Sequence, residues 1–405
     1  MTISIRPARP EEMSQLGSLT AYVYGGTFGD GPDNIVSQSN QPEWTLCAFD
    51  GDRMAASFVT IPFTMRAAGK AMKMGGISAV GTLPEYRRRG LLRRLMTDSL
   101  VRMHDAGIPM AALWASQAAI YQRYGFAMAT VRRHYRIDSA DIGFFDGDNG
   151  TCPVERVSIA SGFDDMKQLY IRFIERRLCY LHRARPLWQL QVLNDNTPDG
   201  PVNVAIAWDD QRRPAGYIVY TLRAAKLVHP TRSQELKVRD FVWTTPDAYR
   251  SLWRFLASHD LVGAVDWGTA PMDDPARELF AEPRLLNAKD NEGCWFRIVD
   301  FGKAMEGRGY LHAGSIRIAM MDDELAPWNN GTWQVDIEAG VARARKVEVK
   351  ADLTVSVKSM TSILTGARRA SDLSAAALAS GDPVNIALAD KLFATPHAPH
   401  CPDNF

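Results

Sequence analysis

The chain has 405 residues, 46% of them hydrophobic and 23% charged, which is typical of a globular protein with about two or three domains. The formal net charge of +1 argues against a general nucleic-acid binder, and no run reaches the roughly 18 apolar residues that span a membrane. The N-terminus lacks the apolar core of a secretion signal and the five cysteines lack CxxC spacing, so we expect a cytoplasmic protein with reduced thiols and no metal site.

The first region alternates helical and strand-like patterns. Apolar residues at helical spacing predict a helix over residues 13–23 and a second from Leu91 to about Asp105. Between them, four strand-like runs are separated by the sequences DGDR and RAAGKA and by the Gly75–Gly76 pair. A strand and a short helix follow, so this region is predicted to be α/β.

Two further regions follow an acidic, glycine-containing stretch at 141–153. The middle region repeats the order of strands, helix and strand, so we predict a second, diverged copy of the first fold. The last region changes to short strands followed by helices, which is typical of an α+β domain. We therefore predict domains at 1–142, 150–293 and 294–405.

A basic loop stands between the fourth strand-like run and the helix that begins at Leu91. It contains "YRRRGLLRRL", in which Gly90 allows close approach of a ligand to the backbone. The free N–H groups of a helix start attract anions, and arginines can add charge-assisted bonds to phosphate oxygens. Taken alone, the segment fits a phosphate site and a solvated basic helix start equally well.

Two motifs together indicate a family. Residues 87–92 resemble the coenzyme A pyrophosphate loop of the GCN5-related N-acetyltransferase (GNAT) superfamily, Gln/Arg-x-x-Gly-x-Gly/Ala, except that Leu92 replaces the small residue. Residues 121–126 are similar to the superfamily's Tyr-x-Lys/Arg-x-Gly-Phe segment, and a helix and a strand separate the two motifs. With two tandem transferase-like regions, a strand-rich last region and a final phenylalanine, the whole chain resembles the enhanced intracellular survival (Eis) family.

The resemblance implies a fold and a reaction. It implies two tandem GNAT-like domains, the second degenerate and without coenzyme A, and a third domain that resembles sterol carrier proteins. It implies an acetyl-CoA-dependent N-acetyltransferase that acts on aminoglycosides, polyamines or lysine side chains, with a role in antibiotic resistance. The assembly implied is a homohexamer.

The resemblance also assigns roles to residues. Tyr121 is the expected general acid, with Tyr124 as the alternative donor, and the C-terminal carboxylate of Phe405 is the expected base. Asp30 is the expected substrate-binding acid. The residues expected to contact acetyl-CoA are Val80, Gly81, Thr82, Arg88, Arg89, Gly90, Leu91, Leu92, Arg93, Ser116 and Gln117.

Two other functions fit the sequence. One is a lipid or acyl-CoA carrier whose transferase regions are degenerate. The other is a long-chain N-acyltransferase such as an N-myristoyltransferase, which also uses a C-terminal carboxylate. Retention of Tyr121 and of the basic loop favours an enzyme over a carrier.

Overall fold

The computed structural model describes residues 3–26, 39–226 and 231–405, and its residues group into two compact units. The first unit draws on residues 1–129 and 294–395 and on Phe405. The second draws on residues 130–293 and 396–404. The chain thus leaves the first unit and returns to it twice.

A mixed sheet forms the centre of the first unit, with its strands in the order β1-β2-β3-β4-β5-β15-β6. A two-residue turn joins the two longest strands, and both of its residues, Ala68 and Gly69, have positive φ (51° and 94°), as a tight hairpin requires. The strands are β1 (Ile3–Arg6), β2 (Cys47–Asp50), β3 (Arg53–Ala67), β4 (Lys70–Thr82), β5 (Met110–Leu113), β6 (Ala127–Met128) and β15 (Trp295–Ile298).

Among the described residues, three helices accompany this sheet: α1 (Met13–Tyr24), α2 (Leu91–Asp105) and α3 (Ala118–Gln122). The apolar face of α2 is buried, and Leu95, Met96 and Leu100 are each no more than 1% exposed. The predicted helix over 91–105 is therefore confirmed, and its 3.6-residue period reflects a face packed on the sheet.

The break predicted at the glycine pair is wrong, because β4 runs without interruption through Gly75 and Gly76. Both glycines provide space instead of a turn. A Cβ on Gly75 would come within 2.5 Å of the Met103 sulfur, and one on Gly76 within 2.5 Å of the Phe63 ring. Helix α2 and an aromatic ring therefore pack directly on the strand backbone.

The first unit also contains a second, five-stranded sheet in the order β18-β17-β16-β19-β20. Its elements are α8 (Phe301–Glu306), β16 (Gly314–Met321), β17 (Gly331–Glu338), β18 (Val341–Val347), β19 (Leu353–Ser356), α9 (Val357–Leu364), α10 (Ala370–Ala375), β20 (Ala379–Gly381) and α11 (Pro383–Leu392). Arg297 on β15 forms a fully buried ion pair with Asp323, at 2.5 Å between Nη2 and Oδ1. This pair joins the two sheets of the unit.

The second unit has a seven-stranded sheet in the order β14-β7-β13-β12-β11-β10-β8. The elements of the unit are β7 (Val131–Ile137), β8 (Val154–Val157), α4 (Ile159–Ile174), β9 (Leu178–Leu181), α5 (Arg185–Leu190), β10 (Val202–Trp208), β11 (Pro214–Ala224), β12 (Gln234–Trp243), α6 (Pro246–Ala257), β13 (Val262–Ala270), α7 (Ala276–Leu279) and β14 (Lys289–Glu292). As β4 and β5 do around α2, β12 and β13 pair in parallel on either side of a helix, α6. The predicted second copy of the fold is confirmed.

Across the described ranges of the chain, no helix is both long and apolar enough to cross a membrane.

Candidate active site

One edge of β4 becomes free where this strand separates from β5. The parallel pairing runs from Met74–Met110 to Ile77–Leu113, whereas β4 continues to Thr82. Beyond Ile77, no described strand pairs with β4 on that side. The separation opens a gap in the sheet at the end of β5.

The backbone of β4 is irregular beside this gap. Ala79 has a φ of 48°, and its carbonyl accepts a hydrogen bond from Ser57 Oγ on β3 at 2.7 Å. The register between the two strands shifts at this point, which marks a β-bulge. Because N–H and C=O point in opposite directions across a trans peptide, the N–H of Val80 points away from β3.

The basic loop leads from this strand into α2. Arg88 and Gly90 have positive φ values of 61° and 72°, and no side chain caps the helix at Gly90. The first helical hydrogen bond comes from the N–H of Arg94, so the three preceding amides have no acceptor within the helix. The role of Gly90 here is its backbone conformation and not close packing, because a Cβ would meet nothing within 4 Å.

The arginine side chains of the loop lie at the surface. Arg87 Nε donates to the carbonyl of Thr82 at 3.1 Å, and Arg89 Nη2 donates to that of Glu85 at 2.8 Å. Arg93 forms an exposed ion pair with Glu324 at 2.7 Å. The donor set of this loop, backbone amides at a helix start together with guanidinium groups, fits a pyrophosphate.

The two leucines of the predicted loop contribute differently. The side chain of Leu91 is buried in the core, so only its backbone can face a ligand. Leu92 is half-buried and packs against the same core. A larger residue than the GNAT pattern specifies is accommodated here because its side chain points toward the protein.

Tyr121 lies on the short helix α3, which follows β5. It is 4% exposed, and its ring packs edge-on against Phe126 with 6.1 Å between ring centres. Burial raises the pKa of the Tyr121 phenol well above its ordinary value, the neighbouring Tyr24 hydroxyl raises it further, and a hydrogen bond with Ser116 lowers it. The phenol therefore keeps its proton at neutral pH.

A buried arginine holds the end of α3. Arg297 Nε donates to the carbonyl of Tyr124 at 2.5 Å, and Gly125 follows with a φ of 80°. Ser116 and Gln117, at the start of the helix, are exposed. Tyr124 is half-buried, and burial also raises its pKa.

Phe405 belongs to the first unit, although residues 396–404 belong to the second. Its ring lies 5.0 Å from that of Phe63, and a Cβ on Gly76 would approach it to 2.9 Å. Glycine at position 76 thus leaves room for both rings on β4. Asp30 lies outside the described residues.

The segment before Phe405 is anchored within the second unit. Arg183, whose side chain is 1% exposed, forms ion pairs with Asp403 at 2.8 Å and with Asp240 at 2.5 Å. Arg132 Nη2 donates to the carbonyl of Pro402 at 2.8 Å. A buried charged network of this kind fixes the path of the backbone because an unpaired partner would be strongly destabilising.

Sequence reasoning missed Tyr24, Arg297 and Arg183. Tyr24 Oη donates to the carbonyl of Val80 at 2.7 Å, across 56 residues of sequence. No pattern in the sequence relates a tyrosine at the end of this helix to a strand so distant. The two arginines have still more distant partners: Arg297 lies 173 residues from Tyr124, and Arg183 lies 220 residues from Asp403.

Three family models match successive parts of the chain. Models described as acetyltransferase (GNAT) domains match residues 4–129 and 179–298. A model described as a sterol carrier protein domain matches residues 301–402.

Curated relatives and solved structures agree with these matches. The N-acetyltransferase Eis of Mycobacterium tuberculosis is 29% identical over 306 residues, which cover 74% of this chain and 73% of that protein. An uncharacterized N-acetyltransferase of Streptomyces avermitilis is 28% identical over 90% of this chain and 89% of its own. The crystal structure of Eis1 from Mycobacterium abscessus, 24% identical, covers 100% of both chains with a TM-score of 0.84. A GCN5-related N-acetyltransferase from Anabaena variabilis, 23% identical, has a TM-score of 0.87 with the same coverage.

Proposed function

The chain belongs to the GNAT superfamily and, as a homologue of the Eis proteins, to the Eis family of N-acetyltransferases, and from this we propose that it acetylates multi-amine substrates in an acetyl-CoA-dependent reaction. The substrates proposed are aminoglycosides, polyamines or lysine side chains. The observation that carries the proposal is the free edge of β4, which leads directly into the basic loop at the start of α2.

Backbone groups supply most of the proposed cosubstrate contacts. When bound, acetyl-CoA supplies an acetyl group activated as a thioester. Val80 and Thr82 would pair with its pantetheine arm along the strand edge, as a further strand would, and Gly81 would line the arm between them. Leu91 and Leu92 would contribute the N–H groups of the first helical turn, together with Gly90.

Side chains complete the proposed cosubstrate site. Arg88, Arg89 and Arg93 would bind the pyrophosphate oxygens, and their positive charge adds to that of the helix start. Ser116 and Gln117 would line the arm at the end of β5. Removal of the arginines should then weaken cosubstrate binding in proportion to the salt bridges lost.

We assign the general-acid role to Tyr121. Its Oη holds a proton at neutral pH because burial raises the pKa, and it would deliver that proton to the leaving sulfur. The transfer from a phenol with such a pKa is uphill, so its efficiency depends on fixed geometry. Ser116, which is hydrogen-bonded to the phenol, supplies part of that geometry.

We assign the proton-accepting role to the α-carboxylate of Phe405. A terminal carboxylate with a pKa of about 3.5 is a weak base for an ammonium group with a pKa of about 10, so it would act through water or by binding the cation. The role requires a free carboxylate at this residue. Asp30 is proposed to bind a second amino group of the substrate.

The second GNAT domain is proposed to bind no acetyl-CoA. The parallel pairing of β12 with β13 ends at Val238–Trp267, and the residues that line the space beyond it include His400 and Pro402 from the end of the chain. The chain itself therefore fills the position that the first domain leaves open. In addition, the turn after β12 contains no counterpart of the arginine–glycine loop.

The remaining features follow from the resemblance to the Eis family. We propose functional domains at 1–142, 150–293 and 294–405, the last of them delivering the terminal carboxylate. We further propose a cytoplasmic homohexamer that contributes to antibiotic resistance where an aminoglycoside is the substrate. Sedimentation equilibrium of the purified chain tests the hexamer directly.

The reaction is tested by thiol release from acetyl-CoA with kanamycin, neomycin, spermidine and a lysine peptide as separate acceptors. The proposal predicts amine-dependent release together with a mass increase of one or more acetyl groups on at least one acceptor. Thiol release that is independent of every amine, with no acetylated product, would contradict it.

A further inference from the structure

The carbonyl of Val80 is already engaged by a side chain. Tyr24, the last residue of α1, donates its hydroxyl to this oxygen at 2.7 Å. The tyrosine is 47% exposed, so its ring is not held within a core. Its hydroxyl also lies close enough to Tyr121 to raise the pKa of that phenol.

The geometry of β4 shows which way this carbonyl points. Gly81 pairs with Ser57 on β3, and the N–H of Leu83 donates to the carbonyl of Ala55 at 3.0 Å. Because successive peptide groups alternate along a strand, the carbonyls of Val80 and Thr82 point away from β3. Both are hydrogen-bonded to side chains, Val80 to Tyr24 and Thr82 to Arg87.

An amide chain that adds to a strand edge needs acceptors as well as donors. The N–H groups of Val80 and Thr82 point toward the gap beside β4, where no described strand pairs with them. The matching acceptor, the Val80 carbonyl, is the atom that Tyr24 engages. The tyrosine hydroxyl thus occupies the position that one donor N–H of an added strand would take.

We propose that the Tyr24 hydroxyl competes with the pantetheine arm for the carbonyl of Val80, so that the phenol must turn away when the cosubstrate binds. This inference rests on the proposed acetyl-CoA site. The competition is confined to the pantetheine arm, because the basic loop that faces the pyrophosphate begins several residues further along the chain. Tyr24 therefore lowers the affinity for coenzyme A without affecting nucleotide recognition.

The test measures binding by isothermal titration calorimetry in the absence of amine. Two ligands are compared: coenzyme A, and adenosine 3′,5′-bisphosphate, which has no pantetheine arm. The variant Tyr24→Phe keeps the ring and removes the competing hydroxyl. Tyr22→Phe is the matched control, because it removes the same hydroxyl group from a tyrosine on the same helix. Tyr22 is 66% exposed.

We expect Tyr24→Phe to bind coenzyme A about two- to tenfold more tightly than the native chain, which is the range for one net hydrogen bond. Its affinity for the bisphosphate should equal that of the native chain, and Tyr22→Phe should match the native chain with both ligands. Unchanged or weaker binding of coenzyme A by Tyr24→Phe overturns the competition alone. Failure of the native chain to bind coenzyme A overturns the proposed site together with this inference.

Discussion

At the residue scale, the surroundings of Tyr121 determine what it can do. A buried phenol with a raised pKa stays protonated through the neutral range, so it can serve as an acid and not as a base. We expect Tyr121→Phe to lower kcat by about 100-fold, the lower end for a general acid, while the calorimetric affinity for acetyl-CoA stays unchanged. Because a phenol is protonated below its pKa, Tyr121 should cause no loss of kcat below about pH 10.

Tyr124→Phe is the control for this substitution, since Tyr124 lies in the turn just after the end of α3 and is less buried. It should retain turnover close to the native value. A parallel loss of kcat and of acetyl-CoA affinity in Tyr121→Phe would indicate a packing role instead. Full activity of Tyr121→Phe with loss in Tyr124→Phe would transfer the acid role to Tyr124.

His400 is a second residue whose burial has a measurable consequence. It is 1% exposed, its ring nitrogens lie 3.0 Å and 3.3 Å from the carbonyls of Thr269 and Val131, and burial, aided by Arg132, lowers its pKa to about 3. The folded chain holds His400 uncharged, and the ordinary pKa of histidine is near 6.5. The stability that depends on this uncharged ring is therefore complete above about pH 6.5. The contribution is lost as the pH falls toward 3, because only the unfolded chain then binds the proton.

Below about pH 6, the free energy of unfolding of the native chain should therefore decrease with falling pH more steeply than that of His400→Gln. We expect the two slopes to differ by about 1.4 kcal/mol per pH unit. Urea unfolding of both chains at pH 7, 6 and 5 measures this difference in slope. The glutamine variant serves as the reference because it retains polar groups and does not titrate. Parallel slopes would show that His400 is accessible to protons in the folded chain.

At the element scale, the loop before α2 depends on one glycine. Gly90 has a φ of 72° in open space, so alanine there adds backbone strain of about 1–2 kcal/mol without a clash. We expect Gly90→Ala to weaken acetyl-CoA binding about tenfold or more, because the loop amides lose their common orientation. Calorimetry with acetyl-CoA measures the effect.

Gly147→Ala is the matched control for the loop. Gly147 has a φ of 73° and equally open surroundings, but it lies in the second unit. The two variants should lose similar stability in thermal unfolding, whereas only Gly90→Ala should lose affinity. Native affinity in Gly90→Ala would remove this loop from the cosubstrate site.

Local sequence patterns predicted the helices and strands, but they did not predict the irregularities within those elements. The 3.6-residue spacing of apolar residues predicted α2 correctly, because a helix packed on a sheet repeats apolar residues at that spacing along its buried face. The glycine pair at 75–76 misled the prediction, since glycine marks a turn in one context and a close packing contact in another. The bulge at Ala79, which directs Val80 toward the gap, has no sequence signal because alanine rarely adopts a positive φ.

At the scale of the whole molecule, the order of strands along the chain predicted two related domains and a third of different kind. It could not predict that β15, from residues 295–298, inserts between β5 and β6, because a strand sequence does not specify a partner about 180 residues away. The same limit applies to the anchoring of the last residues by Arg183, a partner 220 residues from Asp403.

The path of the chain brings its last residue back to the first unit. Residues 396–404 belong to the second unit, and Phe405 packs beside Phe63 and Gly76 in the first. The proposed mechanism requires a free carboxylate at this position. An extension of a few residues beyond Phe405 removes that charge and leaves the cosubstrate loop unaltered.

The most direct measurement is therefore amine-dependent thiol release from acetyl-CoA by the native chain and by a chain extended beyond Phe405. Acetyl-CoA affinity is measured on both by calorimetry. We predict that the extension lowers kcat by about 100-fold or more while the affinity stays the same. Equal turnover of the two chains would contradict a catalytic role for the terminal carboxylate.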